Sequence, residues 1–331
     1  MERGTVSNHI LNRSVTRHIR KNADATTGIG TASSAEDISM GYITEIAYLR
    51  AVNNLYGRGG SEIRELSLSF MLGSAVCEDT IRREMKRLTE LVYNDDKDAV
   101  ISGNTFVSGS LKEDEYTVSV VINGNGDLKK STVSAGDRLI LAGYPARYGT
   151  ELLIRRYREK LRERFNDIFL DEYLFKCEKD GKSVYERYSI GKYIGQNIGQ
   201  CIEKDGLKAR IKPLSFGGLY RAVWEISDES GFGAEVFHDS IIMEQETIEI
   251  AEFFRINPYM LLGTGAVILA CDAEKTEEIL NDISGDGSAK DKQPVCVIGE
   301  LKKEKGCTVV SSLYDVKREI TSYKSDELFK I

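Results

Sequence analysis

Proline, tryptophan and histidine are scarce in this 331-residue chain, which holds four, one and three of them. So little proline excludes a collagen-like or proline-linker protein, and 41% hydrophobic residues beside 29% charged ones exclude a disordered chain. The histidines, His9, His18 and His238, have no acidic or serine partner at a diagnostic spacing, which argues against a catalytic triad. His238-Asp239 fits a structural turn better than a metal ligand pair. No Cys-x-x-Cys occurs, and the six cysteines, Cys77, Cys177, Cys201, Cys271, Cys296 and Cys307, lie too far apart for a disulfide frame or zinc site and are expected to be reduced and buried. Apolar runs such as Leu261 to Ala270 fall well short of the ~20 residues that span a bilayer. Met1 to Thr5 lead into polar residues without the apolar core of a secretory signal, so a cytoplasmic location is expected. Basic excess is lacking as well: 45 Lys and Arg against 52 Asp and Glu leave a net charge of -7 and no broad footprint for nucleic acid or an anionic membrane. Neither is expected as a partner.

At ~150 residues per domain the length suggests two domains, with a boundary expected near Gly143 to Gly149 that gives domains 1–146 and 147–331. Spacing of three to four between Val6, Ile10, Leu11, Val15 and Ile19 predicts a basic helix, and Thr26 to Ala35, small and glycine-bearing, is expected to be a loop. Gly28-x-Gly30 lacks the third glycine of a dinucleotide fingerprint. Helices are predicted at Ile43 to Leu55 and Cys77 to Tyr93, with a strand at Glu62 to Gly73 and shorter strands at Ala99 to Ser102, Tyr116 to Asn123 and Arg138 to Ala142. One basic helix is predicted at Thr150 to Phe165, its arginines interleaved with Glu151, Glu159 and Glu163 as a solvated, ion-paired face. Further helices fall at Leu219 to Ile226, Thr247 to Phe254 and Ala273 to Ile283, among strands at Val267 to Ala270, Val295 to Ile298 and Thr308 to Ser312, with a glycine-rich linker at Gly285 to Gly287. The class is α+β, with βαβ-like alternation in each half.

The order of these segments resembles the superfamily of aminoimidazole ribonucleotide synthetase and the hydrogenase-maturation protein HypE, and is most similar to the HypE-like, AIR synthase-related proteins. Val6 to Ile19, Arg50 to Leu55, Gly136 to Thr150, Gly217 to Glu225, Gln245 to Phe254 with Ile256 to Tyr259, and the tail Lys324 to Lys330 carry the resemblance. It implies a PurM-like pair of α/β-type domains: an N-terminal sheet-and-helix domain that forms a β-barrel with its twin in a dimer, and a C-terminal α/β domain that covers a site for ATP and magnesium. The implied chemistry is ATP-dependent activation of an amide-type oxygen, in which magnesium, a hard cation seeking carboxylate oxygens, neutralises the phosphates.

Tested position by position, the implied ligand set is thin. Glu36 and Asp37, in Ala35-Glu36-Asp37-Ile38, stand for the first acidic ligands and are the candidate metal residues. A strand bearing a Thr-Asp ligand is expected to be missing between Met40 and Ile43. Asn54 stands where the resemblance implies an aspartate, keeping its shape without its charge, and the turn Ser102-Gly103-Asn104-Thr105-Phe106 has Phe106 where a glutamate is implied, leaving Asn104 as a neutral candidate. Pro213 to Gly218 lacks both acids of a nucleotide-side turn, although Gly217 and Gly218 can still cradle an anion through backbone N–H groups at a helix start. Lys212 beside that turn is a candidate phosphate partner, and Phe106 and Phe216 are expected to fill the vacated space. HypE chemistry uses a cysteine at the extreme C-terminus; the last cysteine here, Cys307, is expected to be a packed side chain on a strand. The function expected is therefore a non-catalytic structural or regulatory dimer, homomeric or with a catalytic paralogue. The alternatives are an ATP-dependent enzyme with a remodelled site and a binding module for a small phosphorylated or purine-like ligand.

Overall fold

The computed structural model describes residues 26–60, 62–125, 133–178, 181–196, 209–284, 294–321 and 325–331. The expected N-terminal helix at 6–19 and the linker at 285–287 lie outside them. In chain order the first elements are β1 (Thr26–Ser33), α1 (Ser34–Asp37), α2 (Ile43–Gly57), β2 (Glu62–Leu72), α3 (Glu78–Asp95), β3 (Val100–Val107), β4 (Tyr116–Asn125) and β5 (Arg138–Ala142). Then come α4 (Arg147–Arg156), α5 (Arg158–Leu161), α6 (Asp167–Cys177), α7 (Val184–Tyr188), β6 (Ala209–Pro213), α8 (Gly218–Ser230), β7 (Gly233–Phe237) and α9 (Gln245–Phe254). The last are β8 (Val267–Cys271), α10 (Thr276–Ser284), β9 (Val295–Lys302), β10 (Cys307–Ser311) and β11 (Val316–Glu319). Two compact units result, one of residues 25–129 with 154–196 and one holding 130–153 and 197–331; the expected boundary at 146/147 falls inside the second.

The first unit is built on a four-stranded sheet in the order β1-β4-β2-β3, antiparallel except for the parallel β2–β3 pair. Period-two alternation sorts its side chains. Leu66, Leu68, Phe70, Val118, Val120 and Ile122 are buried on one face, whereas the other presents Thr31, Ser67, Ser69, Ser102 and Ser119. Helix α2 lies on β1 and β4 and is buried along nearly its whole length. Its N-terminus, which would otherwise leave N–H groups without partners, is capped from α3: Glu84 accepts from the Ile43 and Thr44 amides (3.2 and 2.9 Å), the Thr44 hydroxyl (2.7 Å) and the Tyr116 hydroxyl (2.7 Å).

Residues 26–35, expected to form a loop, form β1 and the start of α1 instead. Glycine here is not a sign of a turn. A Cβ built on Gly28 would sit 2.0 Å from the Ala51 carbonyl oxygen, and one on Gly30 would sit 2.0 Å from that of Ala47. Both glycines let the α2 backbone press onto the strand, a close-approach use of glycine. Between Met40 and Ile43, where a strand is expected to be missing, the structure has only the short connection Gly41-Tyr42. The single basic helix expected at Thr150 to Phe165 is also corrected. It breaks at Tyr157 (φ -118°, ψ 26°) into α4 and α5, and Arg158 and Arg162 of the second piece both pair with Asp167 at the start of α6.

The second unit holds a seven-stranded mixed sheet, β11-β10-β7-β9-β5-β8-β6, in which only β10–β7 is parallel. β8, Val-Ile-Leu-Ala-Cys, is buried at every position. Leu219, Ala222, Val223 and Ile226 of α8 pack with Val236, Ile268, Ile298 and Val309 in its core.

The tightness of the α2–β1 contact is testable. Gly30→Ala should lower stability by about 1–3 kcal/mol or more, the range for forced overpacking, whereas Thr27→Ala on the opposite face of the strand should change it by less than about 0.5 kcal/mol. Urea denaturation of the two variants against the parent decides between close approach and mere loop tolerance.

Candidate functional site

Glu36, Asp37, Asn54 and Asn104 belong to the first unit, and Gly217 and Gly218 to the second. Asn54 projects from α2, and its amide donates to the Ile29 carbonyl of β1 (2.8 Å), so the neutral side chain that replaces the implied aspartate grips backbone. Asn104 is exposed on β3, at the opposite edge of the sheet from β1 and three strand spacings, roughly 14 Å, away. Phe106 shares its face and is 43% exposed, so it fills no cavity within the chain.

Glu36 and Asp37 sit in α1, immediately after β1, in the four-residue helix that Ser33 caps by accepting from Ala35 N. Asp37 is almost fully buried and its carboxylate is bound on both oxygens by Arg50 of α2 (2.8 and 3.0 Å). One of these oxygens also accepts from Ser33 N, and Arg50 reaches the Thr31 carbonyl (2.7 Å). The pair thus joins β1, α1 and α2 in one charge-assisted fork. A metal at Asp37 would have to displace this arginine in a buried setting, where an unpaired guanidinium is costly.

In the second unit, the chain turns into α8 through Gly217 (φ 87°) and Gly218 (φ 60°), left-handed conformations that suit glycine. A Cβ on Gly218 would also stand 2.5 Å from the Leu261 carbonyl oxygen. This helix start has an anion already, supplied by the chain. Asp326 accepts from Gly217 N, from Leu262 N (3.3 Å) and from Leu328 N (2.8 Å), the last as cap of the short turn Glu327–Lys330. Phe216 stacks on Phe329 at 5.6 Å, so the tail is fastened by both a carboxylate and a ring. Nearby in sequence, the Thr264 hydroxyl is buried without a hydrogen-bond partner. Asp326 was visible only as part of the tail; the one local signal for it is an aspartate placed to cap the turn that follows.

The remaining candidates resolve into structure. Lys212 pairs with Glu225 (2.6 Å) and Glu229 (3.0 Å) and so serves α8. Asp239 holds the turn after β10: its carboxylate accepts from the hydroxyls of Ser311 and Ser312 and the amides of Ser312 and Leu313, which hold its pKa down at about 2. Cys307 is buried in the sheet core, where desolvation raises its thiol pKa. Magnesium-bound triphosphate needs several oxygen ligands, chiefly carboxylates. Among the described residues no group of three or more His, Cys, Asp or Glu could hold a metal ion, and Asp37 is engaged by Arg50. No helix among them is long and apolar enough to cross a membrane.

These are two α/β-type units, one on an open four-stranded sheet and the other on a seven-stranded sheet whose helix start receives the tail. Comparison with known proteins places that architecture. No family model matches the chain. A Methanocaldococcus jannaschii protein bearing the name of a hydrogenase expression/formation protein is 24% identical over 249 residues, 73% of this chain and 67% of that protein. Escherichia coli HypE, a hydrogenase maturation protein, superimposes with a TM-score of 0.70 at 18% identity, covering 98% of this chain and 92% of that one. A HypE in complex with ATP superimposes with a TM-score of 0.67 at 15% identity over 99% of this chain and 98% of that one. The chain has the PurM-like α/β fold of the HypE proteins, and the resemblance drawn from its sequence is borne out.

Two outcomes follow from the site geometry. Asp37→Ala should destabilise the protein by about 3–5 kcal/mol by leaving Arg50 buried and unpaired, and the double change Asp37→Leu with Arg50→Met should recover most of that loss; urea midpoints test both. Burial pushes the Asp326 carboxyl up to about 7, against the pull of its three N–H donors. Its folded pKa lies above the ~3.9 of an unfolded aspartate, so its stabilisation is fully present below that value and lost as pH rises through about 7. The stability of the parent relative to Asp326→Asn should therefore fall as pH is raised from about 4 to about 8; a difference independent of pH in denaturation midpoints would contradict it.

Proposed function

We propose that this chain is a cytoplasmic HypE-like protein of the hydrogenase-maturation type that acts as a non-catalytic structural or regulatory dimer, with itself or with a catalytic paralogue. The observation that carries this reading is the state of the carboxylates. Where the resemblance implies ligands for magnesium and triphosphate, Asn54 is neutral and bound to backbone, Asp37 is committed to Arg50, and Phe106 stands in place of an acid. Each carboxylate lost leaves the charge of the cation and phosphates less compensated, so affinity for magnesium-ATP falls steeply. The name of the M. jannaschii relative and the HypE likeness support the hydrogenase setting.

The dimer reading is supported by the open face of the four-stranded sheet. It presents hydroxyl pairs such as Thr31–Ser119 (3.1 Å) and Ser67–Ser102 (2.8 Å) beside the exposed apolar side chains of Ile29, Val100 and Phe106. A surface of small polar groups and scattered apolar ones suits a second sheet better than a phosphate-laden ligand. The competing reading, an ATP-dependent enzyme with a remodelled site, is favoured by the likeness to an ATP-bound HypE over nearly the whole chain.

Titration calorimetry with ATP and magnesium, alongside sedimentation mass, separates the two. The expected result is a dimer with no magnesium-dependent binding of ATP at up to millimolar concentration. Micromolar, magnesium-dependent binding would overturn the non-catalytic reading, and a monomer at all concentrations, alone and with a paralogue, would overturn the dimer.

A further inference from the structure

A cavity of about 480 Å³ lies within the second unit, between α8, the turn Pro258–Met260, the turn His238–Ser240 and the β10–β11 hairpin. That is the size range of pockets that enclose small organic molecules. Neither Asp326 nor any residue of the open sheet lines it.

Its walls are aromatic and rigidly held. The rings of Tyr220 and Tyr259 stack at 5.2 Å and 13°, and the His238 ring leans on Tyr259 at 5.2 Å. Tyr259 is fixed from below: Asn257 accepts from its amide through Oδ1 (3.0 Å), which leaves the side-chain NH₂ of Asn257 as a donor at the cavity wall. The hairpin supplies the opposite side. Register pairs Val309 with Arg318 and Ser311 with Val316, so alternation puts Val309, Ser311, Val316, Arg318 and Ile320 on the face that lines the cavity. Lys317 alternates to the other face, where it pairs with Glu235 (3.1 Å), while the exposed Glu319 also reaches the rim of the cavity.

Charge then decides what fits. Arg318 is exposed and makes no ion pair or hydrogen bond among the described residues, while its field reaches the Tyr220 hydroxyl. The second guanidinium of the lining, Arg221, is held by Glu225 and the Phe216 carbonyl. Of the two acids nearby, Asp239 is saturated by its four donors from the turn after β10, and Glu319 of the lining is exposed at the rim, where solvent screens its charge. An unpaired guanidinium, an aromatic wall and an amide donor converge on one space.

We propose that this cavity binds a small planar aromatic molecule carrying an acidic group, its ring against Tyr259 and Tyr220 and its acid on Arg318. The ring stacks with an offset, as aromatic faces prefer, and the acid makes the charge-assisted fork that arginine favours.

Fluorescence titration of the full chain with 2-naphthoate and with its neutral counterpart 2-naphthamide tests this. Saturable binding of both at one site per chain is expected, with naphthoate the tighter. Arg318→Gln should weaken naphthoate about tenfold and leave naphthamide unchanged, as one charge-assisted contact is worth about that factor. Tyr259→Leu should weaken both alike. Arg318 is exposed, so its replacement leaves the fold intact, and an unchanged thermal midpoint verifies that for each variant. No saturable binding of either probe to the parent overturns the proposal, as does naphthoate binding that is indifferent to Arg318→Gln.

Discussion

The first unit depends on how closely one helix can approach one strand. Helix α2 runs with its carbonyls against Gly28 and Gly30 of β1, and no side chain can come between them. That approach brings the buried row of Ile46, Ala47, Ala51 and Leu55 onto the sheet at backbone distance. It also sets where charges can go. With the strand glycine-bearing on its helix face and threonine- and serine-bearing on the other, β1 has room for no acid pointing toward α2.

Acidic residues in this protein close helix ends and bury cations. Glu84 caps the start of α2, Glu45 accepts from Tyr185 N at the start of α7 and pairs with Arg87, and Asp95 gathers Tyr48, Tyr185 and Lys192. Tyr48 and Tyr185 stack at 5.3 Å over that carboxylate, which fastens 184–188 to α2. Each acid has its charge offset by donors fixed in a packed interior, where removing one partner costs more than the pair contributes. A carboxylate so committed is poorly placed to leave for a metal ion. Asp37 belongs to this set, and its sequence neighbourhood alone cannot distinguish it from a ligand acid.

Long, strongly patterned segments were legible. The alternation of Ile63, Leu66, Leu68, Phe70 and Leu72 and the helical spacing of Ile43 to Leu55 report one buried face each, and those elements stand where they were expected. The order of such elements also carried the resemblance to the HypE fold. What misled was glycine. In Thr26 to Ala35 small residues signal a turn only if the backbone is free, and here they signal a neighbour that the local sequence does not show: the carbonyls of Ala47 and Ala51, about twenty residues on. The break at Tyr157 was hidden for a like reason, since the acid that draws Arg158 and Arg162 lies beyond the helix they were assigned to. Arg50, Asp326 and Tyr259 owe their roles to partners distant in sequence, and spacing carries no trace of such partners.

The helix start at Gly217 shows how a binding feature can be turned inward. Backbone N–H groups and the helix dipole favour one anion there, and Asp326 supplies it from the tail, with Phe329 laid on Phe216. A phosphate at the same N–H groups and the Asp326 carboxylate exclude each other, because they would use the same donors and repel at contact distance. Burial already opposes the charge on Asp326, so the tail is held by a carboxylate whose ionisation the fold resists. The N–H groups of this helix start are therefore taken by the chain's own C-terminal segment.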